Sequence, residues 1–137
     1  MIRPETIRKR LNFLDDCLDF LYGLRRYSFD EFVSNREHSG SAERYLHLSI
    51  EAVNDIASHI IAELNLGYVD AYSDIPDILY KKKYIDETTR ATWKNMSSFR
   101  NVLVHHYIDI DAKIVYETLH TRLEFIESLK KVFAQFL

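Results

Sequence analysis

The stretch Phe99-Arg100-Asn101-Val102-Leu103-Val104-His105-His106-Tyr107 gathers a permanent cation, an amide, two imidazoles and a phenol. These groups suit one reaction that needs no metal. A ribose 2′-hydroxyl can attack its own neighbouring phosphorus when a base of near-neutral pK removes its proton, and His is the usual base. Negative charge builds on the non-bridging oxygens in the transition state, so fixed positive charge must face them. The planar fork of Arg100 matches a phosphate. Asn101 could orient either partner. One imidazole cannot be both base and leaving-group acid. Two copies of the segment, face to face in a symmetric dimer, would supply both.

Spacing limits how one chain can use these groups. Arg100 and His105 are five residues apart, which on a continuous helix separates them by about 140° around the axis. They converge only if the helix ends near Val104 or if a second subunit completes the site. Asp109 and Asp111 follow at once and suggest a loop and a new helix cap. The plainer alternative is a surface cation and a terminal His, since positive charge is favoured at a helix C-terminus by the macrodipole alone.

The elements that must position this segment read as helices. Only three Gly and two Pro occur in 137 residues, and sheets need turns richer in both. Ile7, Leu11, Leu14, Leu18 and Leu21 recur at helical spacing and predict a first helix from about Thr6 to Val33, with Phe13, Phe20 and Leu24 widening its apolar stripe. The polar run Ser34 to Gly40 should end it. Ser41 reads as the cap of a second helix reaching about Leu66, with Gly67 as its stop. Asp74 can cap a short third helix, with Pro76 tolerated at its start. A fourth helix begins near Asp86 and carries Trp93, Met96, Phe99, Val102 and Leu103. The last runs from about Asp111 to Phe136. The expected fold is all-α: an up-and-down bundle of four main helices with one additional short helix. No linker-like stretch divides the chain, so residues 1–137 read as one domain.

Composition narrows the functional classes. A chain of this length can bury roughly two-thirds of its unfolded surface and needs no metal or disulfide staple. The single cysteine, Cys17, permits no internal disulfide and reads as a small buried hydrophobe. The N-terminus has no apolar run of signal-peptide length, and no segment approaches the ~20 apolar residues of a membrane span. The expectation is a cytoplasmic protein with no membrane contact. A net charge of −3 does not advertise nucleic-acid binding. Contact with RNA must come from local patches such as Arg8-Lys9-Arg10, Arg25-Arg26 or Lys81-Lys82-Lys83, and DNA binding is not expected.

The segment resembles the signature of HEPN domains, in which Arg is followed after a few residues by His within a helical bundle. The fuller pattern Arg100-Asn101-x-Leu103-Val104-His105-x-Tyr107 is similar to the HepT toxins of HepT/MntA toxin–antitoxin systems. Ala42 to Ala52, Asp55 to Ile60, and Ile110 to Leu119 also resemble that family, so the likeness covers nearly the whole chain. It implies a homodimeric, metal-independent ribonuclease that cuts RNA, often tRNA or mRNA, and stops growth without a cofactor. The family's catalytic Arg and His map to Arg100 and His105. Its Tyr maps to Tyr107, to which the partner MntA, a minimal nucleotidyltransferase, transfers AMP. His106 fills the variable position, and family spacing favours His105, two before the Tyr, as the catalytic imidazole.

Other polar residues invite competing readings. His47, Glu51, Asp55 and His59 recur every four residues on one helix face and could hold a metal or pair with basic neighbours. The reading preferred here is that Glu51 or Asp55 lies near Arg100 and holds its fork; His106 is a further supporting candidate. Trp93 and most tyrosines, Tyr72 among them, read as packing residues. The rival to catalysis is a non-catalytic helical dimer that binds a nucleotide or a nucleotidyltransferase through Arg100.

Overall fold

The computed structural model describes residues 3–106, 108 and 110–137. Its helices are α1 (Pro4–Leu24), α2 (Phe29–Ser34), α3 (Arg36–Glu63), α4 (Asp74–Lys81), α5 (Glu87–His105), α6 (Ala112–Thr121) and α7 (Leu123–Ala134). No strand occurs among the described residues. The expected all-α bundle is present: α1, α3, α5 and the α6–α7 pair are its four arms, and α4 is the short addition. α3 is the central arm and packs against every other helix.

The first arm is not continuous, as its apolar spacing had implied. α1 stops at Leu24, and α2 restarts after a reciprocal cap. The Ser28 hydroxyl accepts from the Glu31 amide at 3.2 Å, and the Glu31 carboxylate accepts from the Ser28 amide at 2.9 Å. Ser28-x-x-Glu31 is a capping box, and periodicity alone reads straight across it. The break turns Phe32 fully into the core.

The polar run Ser34 to Gly40 is likewise not a loop. Asn35 caps α3, its side-chain oxygen accepting from the Glu37 and His38 amides at 2.9 and 3.4 Å. Ser41 therefore lies inside the helix. α3 ends through Asn65, which takes the left-handed conformation at φ 53°, while the Leu66 amide donates back to the Ile61 carbonyl at 2.9 Å. Asn can serve this termination as Gly does. Gly67 has another use: a Cβ there would sit 3.3 Å from Ile78, so glycine lets the loop lie close on α4.

The last arm also breaks, at Arg122. Asp111 caps α6 as expected, accepting from the Lys113 amide at 2.9 Å. Arg25 staples the bend. Its Nε donates to the Leu119 carbonyl at 2.9 Å, and its two terminal nitrogens donate to Glu124 at 2.6 and 2.7 Å.

Ile7, Leu14, Leu18, Leu46, Ile50, Ile56, Trp93, Val115, Leu119, Leu129 and Phe133 are essentially inaccessible and belong to one apolar cluster. Cys17 is buried among them. Phe13 and Phe20, expected in that stripe, are instead 47% and 40% exposed. Two polar ties join the arms that carry the site. Inside, the Trp93 indole donates to the buried Asn54 side chain at 2.9 Å, and Asn54 donates to Ser97 at 3.5 Å, pinning α3 to α5. Outside, Asp77 of α4 accepts from Arg90 at 2.8 Å and from Lys94 at 3.0 Å. These hydrogen bonds hold the Asp77 carboxyl below its ordinary range.

Two stability outcomes follow from these ties. Asn54→Ala leaves the buried indole N–H without an acceptor and should cost about 2 kcal/mol, read from urea unfolding. Asp77 ionises more readily folded than unfolded, so its contribution is present at neutral pH and is lost as pH falls below about 4. Asp77→Asn should therefore lower the melting temperature at pH 7. The gap from wild type should narrow as pH falls below about 4, and a constant gap would show that charge is not the cause.

Candidate functional site

The site is built at the C-terminal end of α5. Asp86 starts this helix, accepting from the Thr89 amide at 2.8 Å. Trp93, Ser97 and Arg100 recur at helical spacing, so the face that carries the Asn54 pin also turns Arg100 toward α3. Its side chain is only 19% exposed. The Nε and Nη2 edge of its fork is engaged by Glu51 Oε1 of α3. Nη1 donates to Asn101 Oδ1 at 3.2 Å. Glu51 thus takes one edge of the fork and Asn101 one N–H of Nη1.

Glu51 is itself held from several sides. Its second oxygen accepts from the Tyr72 hydroxyl at 3.0 Å. His47, one turn earlier on α3, lies 3.5 Å from Oε1. The Tyr72 ring also faces Arg100, with 5.4 Å between guanidinium carbon and ring centroid, within cation–π range. Burial and the Glu51 carboxylate push the Tyr72 phenol above its ordinary pKa, so it remains a donor at neutral pH. The loop carrying Tyr72 is closed by Asp74, which accepts from the Asp70 and Ala71 amides at 3.0 and 2.9 Å.

The structure thus separates the two carboxylates proposed to support Arg100. Glu51 does so; Asp55, one turn on, instead pairs with Arg10 of α1 and lies 3.8 Å from His59. The His47-Glu51-Asp55-His59 ladder is occupied by cations and a phenol. Among the described residues no group of three or more His, Cys, Asp or Glu side chains is arranged to hold a metal ion.

α5 continues through His105, which is exposed. His106 caps the helix, its amide donating to the Val102 carbonyl at 3.0 Å, and its exposed side chain is not among the hydrogen-bond partners of Arg100 or Glu51. Tyr107 and Asp109 lie outside the described residues. α5 ends at His105, one residue past Val104, and because the chain is still helical there Arg100 and His105 leave the axis about 140° apart and about 7.5 Å along it. The exposed residues of this stretch are mixed: Asn101 and His106 are polar, while Val102 and Ile108 are 39% and 82% accessible.

Sequence reasoning missed Tyr72. It is far from Arg100 in the chain and sits in a loop, where no periodicity marks it. The one available hint was Asp74, whose side chain could fold back on its own loop.

Comparison with known proteins agrees with the resemblance. The model of the family described as "Ribonuclease HepT-like" matches residues 9–133. A tRNA nuclease HepT of Aphanizomenon flos-aquae is 31% identical over 125 residues, covering 90% of this chain and 84% of that protein. Among solved structures, a tri-AMPylated HEPN toxin of Shewanella oneidensis in complex with an MNT antitoxin superposes with a TM-score of 0.86 at 23% identity, covering 94% of this chain and 96% of that one. YutE, a cytosolic protein of unknown function from Bacillus subtilis, superposes at 0.84 with 21% identity over 99% and 91% of the two chains. The shared bundle and a family match spanning nearly the whole sequence together establish that this chain belongs to the Ribonuclease HepT-like family.

Proposed function

We propose that this chain is the toxin of a toxin–antitoxin pair and acts as a homodimeric, metal-independent endoribonuclease on tRNA or mRNA. The observation that carries the reading is the Arg100 fork, fixed by Glu51 on the rigid α3–α5 seam, on the same helix as His105. Family membership and the tRNA nuclease relative support it. The dimer is supported by the different directions in which Arg100 and His105 leave α5 and by the exposed apolar Val102 one turn before His105.

The chemistry follows from these groups. Phosphate binds the N–H groups of Arg100 that Glu51 and Asn101 leave over, with Asn101 helping to orient the fork. One copy's His105 takes the 2′-hydroxyl proton as the 2′-oxygen–phosphorus bond forms. The other copy's His105 protonates the departing 5′-oxygen as its bond to phosphorus breaks. The products are a 2′,3′-cyclic phosphate and a 5′-hydroxyl, with no water consumed. Arg100 offsets the charge that grows on the phosphoryl oxygens. A nucleotidyltransferase antitoxin, as in the solved relatives with an antitoxin or AMP groups, would silence the site by moving AMP to Tyr107. That adds bulk and phosphate charge two residues from His105, blocking RNA by occupancy and repulsion.

Purified protein with excess chelator should cut RNA and leave 2′,3′-cyclic phosphate ends. His105→Ala should lose at least about 100-fold in rate with its helical circular dichroism unchanged. Retained cleavage in His105→Ala, lost in His106→Ala, would move the role to His106. Absence of cleavage by wild type whose Tyr107 is shown by mass spectrometry to be unmodified would instead favour a non-catalytic dimer that binds a nucleotide or nucleotidyltransferase. Tyr107→Phe should stay folded and active but escape neutralisation by the antitoxin; AMP found on another residue of the silenced variant would overturn the assignment.

A further inference from the structure

The Arg100 network forms one end of a groove between α1 and α3 of about 560 Å³, a volume within the range of small-ligand sites. Glu51 and Tyr72 are shared by both: they brace Arg100 on one side and line the groove on the other. Leu48 and Ala52 of α3 supply apolar lining. Phe13 of α1 also lines it and is nearly half exposed, although its helical stripe would place it in the core. Lys9 adds a cation to the lining. Both carboxylates that reach the groove are already paired, Glu51 with Arg100 and Asp55 with Arg10, which weakens their repulsion of a polyanion.

We propose that this groove holds a nucleobase of the RNA next to the scissile phosphate, stacked on Phe13, with Lys9 on the adjoining backbone. The proposal rests on the ribonuclease reading and names a subsite for its substrate. An exposed aromatic beside a cation is how single-stranded nucleic acid is held without base-specific hydrogen bonds, since every base has a π-face. The alternative occupant, a second copy of the chain, fits less well. Four charged side chains line the groove, whereas the centre of a protein interface is depleted of charge.

The test uses the full chain and single-stranded RNA oligonucleotides in which one nucleotide flanking the cut is made abasic in turn. Phe13→Ala should raise KM about tenfold and leave kcat within about twofold. Phe13→Tyr, which keeps the π-face, should restore KM. One abasic position should weaken wild type by the same factor and have no further effect on Phe13→Ala, because both changes remove one contact. An unchanged KM in Phe13→Ala, or equal sensitivity of both proteins to every abasic position, overturns the subsite. So does conversion of Phe13→Ala to a monomer in sedimentation, which would assign the groove to subunit contact. If wild type cuts no RNA yet binds the oligonucleotide by fluorescence anisotropy, and Phe13→Ala weakens that binding tenfold, the ribonuclease reading falls and the base site stands.

Discussion

In the reading proposed above, the half-buried Arg100 guanidinium faces two demands. It has to be neutralised enough to be tolerated beside the core, yet keep part of its fork for the ligand. Glu51 meets both by taking only the Nε and Nη2 edge of Arg100. The carboxylate is fixed in turn by Tyr72 and flanked by His47, so the cation's direction is set by neighbours that lie on two different elements. Much of the fold serves this pair. The Trp93–Asn54–Ser97 hydrogen bonds fix the seam of α3 and α5 next to it. Asp77 ties α4, whose entry loop carries Tyr72, to α5. A buried polar pin is costly unless fully satisfied, and here it sits where a small slip between the helices would misdirect Arg100.

The two broken arms follow the same logic. A continuous helix through Arg25 would have no reason to place that side chain across the α6–α7 bend. By ending α1 at Leu24, the chain lets Arg25 reach the Leu119 carbonyl and Glu124 together. The hydrogen bonds push the Arg25 guanidinium above its ordinary pKa and hold the Glu124 carboxyl below its own. The irregularities of α1–α2 and α6–α7 are thus one linked feature, and they bring α2 and Phe32 against α3 and α6.

What could be read from residues alone divides along the range of the interactions. Period-3.6 patterning identified all four arms and most of the core, because burial acts on every turn of a helix. Caps that depend on one side chain were read less well. Asp86 and Asp111 stand before apolar runs and were visible; Ser28 and Asn35 sit inside patterns that periodicity joins or dismisses. Glu51 was accessible as a partner for Arg100 because a carboxylate on the neighbouring helix is a natural answer to a half-buried cation. Asp55, one turn away, was equally plausible until geometry gave it to Arg10. Tyr72 and the exposure of Phe13 were beyond reach. The first depends on a loop fold, and the second on how wide α1 and α3 stand apart at one point.

The continuation of α5 to His105 has the largest consequence for chemistry. Had the helix stopped at Val104, a loop could have folded the imidazole back toward Arg100 and made a complete site in one chain. Instead the His106 amide still closes a helical hydrogen bond to Val102, and His105 is exposed on the last turn of the helix. On this helix the two side chains leave the axis about 140° apart. In the dimeric reading proposed above, a twofold axis beside α5 would bring two Arg100 and two His105 to a common cleft. General acid and general base would then be the same residue in two copies. In that reading the site would exist only in the assembled dimer, so its activity would depend on what brings two copies of α5 together.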